Sequence, residues 1–122
     1  MAALKEKAIT LLGSLAGVDM KTAASTTIFT VPTGKVCRIT HMVVRDTTAS
    51  LAGGTSYSVT NWRQTFSLAN LVTANTGFIA VYGADLAQYT EIAGGTNVQL
   101  TVTTGATAAG TATIDIYGYL TN

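Results

Sequence analysis

The chain has 122 residues, enough for one domain with a buried core, and only 11% of them are charged, against about 25% in ordinary soluble domains. Net charge is +1, so repulsion between copies is weak and association is favoured. The seven basic residues, Lys5, Lys7, Lys21, Lys35, Arg38, Arg45 and Arg63, are scattered, which excludes the basic stripe of a nucleic-acid partner.

The first 17 residues come first in chain order. Lys5 and Lys7 before an apolar stretch loosely imitate a secretory signal, but Glu6 interrupts the basic part and Gly13 and Gly17 the apolar part. No A-x-A cleavage site follows, so a retained arm is expected. Leu4, Ala8, Leu11, Leu12 and Leu15 recur with the spacing of one helix face, while Gly13 weakens a helix by about 1 kcal/mol relative to Ala. A short helix and an extended arm both remain open, and either needs a cover for its apolar groups. The expected organisation is an arm over 1–17 and a β-sandwich domain over 18–122.

From Val18 onward the pattern is β. "TTIFTV" (26–31) is rich in residues that suit a pleated surface, and "VPTG" (31–34) suits a tight turn with Pro32 second and Gly34 fourth. The strand expected over 35–46 has faces Cys37/Ile39/His41/Val43 and Val36/Arg38/Thr40/Met42/Val44. Both are partly apolar, which predicts cover on both sides. Further strands are expected near 55–62, 64–68, 78–82, 89–92, 97–104 and 111–120, punctuated by glycines such as Gly53, Gly77 and Gly105. About eight short strands with regular turn signals predict an all-β fold, a β-sandwich or a barrel, of which an antiparallel β-sandwich is the expected one. "AGGTSYSVT" (52–60) echoes "AGGTNVQLT" (93–101), for which a common way of opening a strand is the simpler account than a duplication.

The closing stretch, 95–120, alternates cleanly. Val98, Leu100 and Val102 share one face, as do Ala112, Ile114 and Ile116. Thr111, Thr113, Asp115, Tyr117 and Tyr119 form an opposite face with a single charge.

Chemistry-bearing residues are sparse. The lone His41 stands four strand residues from Cys37, about 13 Å, too far to share a metal. It reads as a hydrogen-bonded core or interface histidine. No G-x-S-x-G elbow occurs, and the glycine-rich turns lack the lysine and helix of a P-loop. Asp46, Asp85, Glu91 and Asp115 fall in turns or on the polar face, where a solvated charge is the default. No enzyme activity, cofactor or metal is expected. The long uncharged runs 64–84 and 92–114 are too rich in Thr, Asn and Gly for a spanning helix, so no membrane partner is expected. With one cysteine an internal disulfide is impossible. Trp62, with Tyr117 and Tyr119, could form a sugar platform, although aromatic residues in these positions equally suit a core edge and an interface.

A neutral outer face, long strands with unblunted edges and an apolar arm together predict self-association, with Leu4, Leu11, Leu12, Leu15, Tyr117 and Tyr119 as interface residues. "VDMKTAASTTIFTVPTGKVCRITHMVVRD" (18–46) and "YTEIAGGTNVQLTVTTGATAAGTATIDIYGYL" (89–120) resemble the opening and closing segments of small jelly-roll virion proteins of tailed bacteriophages. The resemblance implies a jelly-roll-like sandwich in a capsid decoration (cement) protein, or a head or tail accessory protein. It further implies a homo-oligomer, a trimer in many cases, that contacts major capsid or other virion proteins and resides in the virion after assembly in the host cytoplasm. A carbohydrate- or receptor-binding sandwich of a phage tail is the alternative.

Overall fold

The computed structural model describes residues 9–61, 65–81 and 91–122, and these contain β-strands and no helix. The strands are β1 (Thr10–Asp19), β2 (Ser25–Thr30), β3 (Val36–Arg45), β4 (Ser56–Val59), β5 (Phe78–Val81), β6 (Ile92–Ala93), β7 (Asn97–Thr104) and β8 (Thr111–Thr121). They form two antiparallel sheets packed as a sandwich. One has the order β1-β8-β3-β5, with β6 pairing the first residues of β3; the other has the order β2-β7-β4. Where a strand was expected over 64–68, a single bridge between Phe66 and Tyr57 extends the smaller sheet.

Alternation builds the core where the ladder is regular. Val98, Leu100 and Val102 of β7 face Ala112, Ile114 and Ile116 of β8 across the sandwich, all buried. Tyr57 and Val59 of β4 and Met42 and Val44 of β3 complete the layer.

Three features depart from the sequence reading, and two share one cause. The ladder of β1 on β8 shifts register between Leu11 and Gly13 and again between Leu15 and Val18, so β1 is a twice-bulged strand. Each bulge inserts residues and changes the period of two into one near three, which imitates helical spacing. The helical alternative is therefore corrected for residues 10–17 of the arm, and the boundary expected at 17/18 falls inside β1; residues 1–8 lie outside the described residues. The second shift lies at Gly17, whose φ of 71° only glycine adopts readily. Leu4 lies outside the described residues.

In β3 a register shift between Ile39 and His41 leaves Thr40 as the extra residue. Cys37 and Ile39 consequently share the core with Met42 and Val44, while Arg38, His41, Val43 and Arg45 point outward. The two faces expected for this strand are thus corrected beyond residue 39, and Cys37 and His41 lie on opposite sides of the sheet. Opposite the shift stands Gly118, where an added Cβ would run into the Arg38 carbonyl oxygen. Gly118→Ala is expected to destabilise the fold by about 1–3 kcal/mol, because backbone and not a flexible side chain would have to move. Urea unfolding measures this; an unchanged midpoint would contradict the close approach.

The third departure is the turn after β2. The Lys35 amide donates to the Pro32 carbonyl at 3.1 Å, so the turn runs over 32–35 and not 31–34. Gly34, with φ 84°, occupies its third position, where a positive φ is needed. The two Ala-Gly-Gly-Thr segments also differ: the positive φ falls on the first glycine in one (Gly53) and the second in the other (Gly95). The turns are not structural repeats.

Cys37 is fully buried, and burial pushes its thiol up to about 11. Thiol reagents are therefore expected to label it only as fast as the sandwich opens, since the thiolate is the reactive form. Labelling of the native protein at the rate of a free thiol would contradict this placement.

Candidate functional site

The outer face of the larger sheet follows from the register. Cross-strand partners share a face, so Leu11 of β1, Tyr117 of β8 and His41 of β3 form one row, and Ser14, Asp115, Val43 and Ile79 of β5 form the next. Arg38 lies opposite Tyr119 at one end, and Arg45 opposite Thr113 at the other.

The centre of this face is apolar and aromatic. The His41 and Tyr117 rings stack with centroids 4.6 Å apart and planes within 5°. Thr40 Oγ1 lies 3.1 Å from His41 Nδ1 and donates to the Tyr117 carbonyl at 3.3 Å, which holds the imidazole against the phenol. Leu11 is 52% exposed and Ile79 61%, flanking the stacked pair on either side.

Charge on this face is compensated within the chain. Asp115, expected as a solvated charge, is only 4% exposed. Ser14 Oγ donates to its Oδ1 at 2.5 Å, and Arg45 Nε donates to its Oδ2 at 2.7 Å. Burial pushes the Asp115 carboxyl up, but the Arg45 guanidinium and the Ser14 hydroxyl outweigh it and hold the group below the usual carboxylate value. Arg45 also reaches Asp46 at 2.5 Å, and Arg38 pairs with Glu91 at the opposite end. The one charge in the central rows, Asp115, is buried and paired, and the arginines lie towards the ends of the face, a distribution that resembles protein interfaces, in which charge is depleted at the centre and Tyr and Arg are enriched.

Three of the residues expected at an interface come together here: Leu11, Tyr117 and Tyr119. Leu12 and Leu15 do not. Leu15 is the partner of Ile114 on the inner face, and both leucines pack half-buried against the core, so they are corrected from interface to core residues. Leu4 and Trp62 lie outside the described residues, and with Trp62 the expected sugar platform. The expectation of unblunted edges is corrected too. β1 carries two register shifts and β2 one, and β5 is four residues long, all devices that discourage edge pairing. The Ser14–Asp115–Arg45 cluster was beyond sequence reasoning, because Ser14 joins it only once residues 10–19 are a strand beside β8.

Comparison with protein-family models, curated proteins and solved structures finds no match to this chain.

The face therefore has to be read from its own chemistry. Among the described residues no group of three or more His, Cys, Asp or Glu could hold a metal ion, and no helix is long and apolar enough to cross a membrane. What the arrangement offers is an exposed sheet face with aromatic and aliphatic groups at its centre and its arginines paired within the chain.

Proposed function

We propose that this protein is a non-enzymatic structural component of a bacteriophage virion, a capsid decoration (cement) protein that self-associates and stabilises the particle, with its outer sheet face as a contact surface between copies. The observation that carries the contact is the apolar row Leu11–Tyr117–His41 with Ile79 beside it, set between self-compensated arginines. Of the sequence features that suggested association, the edges and the arm leucines Leu12 and Leu15 are accounted for within the fold, and the outer face, with Leu11 exposed on it, remains.

The particle itself comes from the resemblance of segments 18–46 and 89–120 to small virion proteins. Strand pairing supports that resemblance: β1 pairs β8, β2 pairs β7, β3 pairs β6, and β4 bridges the Phe66 segment. Such nesting of first with last, beside which β5 also pairs β3, supports the jelly-roll reading, a fold used by viral capsid and lectin domains. A copy that binds assembled shell but not separated subunits stabilises the shell by mass action, through many modest contacts acting together. A trimer on a symmetry axis of the shell is the form the resemblance implies.

Quantitative mass spectrometry of gradient-purified particles from the infected host tests this reading. A fixed copy number per particle is expected. Particles that lack the chain, while it stays at the top of the gradient, would overturn it. Truncation after residue 17 is not a usable test of an arm, since it removes most of β1 and uncovers β8.

A further inference from the structure

We infer that the outer face of the larger sheet packs against the same face of a second copy, in a two-fold pair; this rests on the reading of that face as the contact surface. Three observations select a second copy as the occupant.

The first is charge. Arg38 is paired with Glu91, and Arg45 with Asp115 and Asp46, all within the chain, so both arginines of the face are already engaged and call for no acidic partner. Two copies of such a face meet with their arginines already paired, and the chain's net charge of +1 adds little repulsion. The second is shape. A sheet face with a row of half-buried rings and aliphatic groups suits another sheet face, the packing by which the sandwich itself is built. The third is area. Four strands about 4.8 Å apart and about eight residues long present about 500 Å2, so a pair buries about 1,000 Å2 in total, the lower end for a specific interface. A two-fold pair is also the commonest closed arrangement, because one patch serves both partners. The pairing is independent of how many copies meet elsewhere: it makes a dimer of single chains or a hexamer from two trimers.

Sedimentation velocity on the full chain and three variants tests the pair. Ile79→Lys and Leu11→Lys each place a charge near the centre of the contact, at positions exposed enough to leave the fold intact by circular dichroism. Each is expected to halve the wild-type mass. Val72→Lys, at a residue 62% exposed but outside both sheets, is expected to leave it unchanged. A wild-type oligomer whose mass survives both face variants would overturn the two-fold pair and leave self-association by another surface standing. A wild-type monomer at all concentrations would overturn both the pair and self-association.

Discussion

Tyr57→Ala is expected to cost about 3–5 kcal/mol, a large part of the about 5–15 kcal/mol that holds a domain of this size together. Tyr57 is the second residue of β4 and is fully buried. Its ring stacks on Phe66 with centroids 5.6 Å apart, and Phe66 in turn stacks on Phe78 of β5 at 5.9 Å, so one side chain links the smaller sheet to the margin of the larger one. Its hydroxyl donates to the Met20 carbonyl at 2.9 Å, just after β1. Alanine would leave a cavity lined by these groups and sever that tie.

Tyr57→Phe separates the two contributions. The Met20 carbonyl also accepts from the Ala106 amide at 2.9 Å, so it is not orphaned when the hydroxyl goes. The loss should stay near 1 kcal/mol. Chemical denaturation of both variants reads the difference. Equal losses for the two would mean that the hydroxyl and not the ring is the anchor, contrary to the packing seen here.

Asp115→Asn is the second large effect, and its sign depends on pH. The folded-state value lies below the ordinary 3.8, held there against burial by Arg45 and Ser14. A carboxylate whose value is depressed on folding adds stability that is complete above its unfolded value and is lost as pH falls through the folded one. Near neutral pH the substitution should therefore cost about 1–3 kcal/mol, the range for charge-assisted hydrogen bonds, reduced because Arg45 stays partly solvated. As pH falls below 3.8 and on through the lower folded-state value, the wild-type carboxylate protonates, and the two proteins should converge. Asp19 is also held low, by the Lys21 and Thr22 amides, so both proteins keep some loss of stability in acid from that group. Thermal unfolding from pH 7 down to acid measures the gap. A gap that stays constant with pH would show that the pair is not ionic.

Legibility in the sequence followed the regularity of the ladders. β7 as far as Val102, and β8 over 111–116, read correctly because nothing there interrupts the period of two: Val98, Leu100, Val102 and Ala112, Ile114, Ile116 are all where alternation puts them, and the one extra residue of β7, Thr103, comes after them. β3 read correctly up to Ile39 and wrongly after it, because one extra residue at Thr40 reverses every later side chain. Nothing in β3 itself signals that residue; the mark is Gly118, on a strand nearly eighty positions away. β1 hid for the same reason twice over, and with it went the assignment of Leu12 and Leu15. Gly17 was a visible clue, since an isolated glycine in an apolar stretch marks a bulge as readily as a weak helix.

The site was half legible. Tyr117 and Tyr119 followed from alternation alone. Their neighbours Leu11, His41 and Ile79 belong to other strands, and only strand order brings them into one surface. The burial of Asp115 depends on Ser14 and Arg45 arriving from both adjacent strands, a three-strand arrangement that no local pattern encodes.

The central claim is that the outer face of the larger sheet is a contact surface and not a water-facing one. Native mass spectrometry of the full chain across the micromolar range tests it most directly. The account predicts multiples of 12.6 kDa that grow with concentration and whose mass halves when Ile79 is replaced by lysine. A single 12.6 kDa species at every concentration, with the Ile79→Lys protein indistinguishable from it, would contradict the claim.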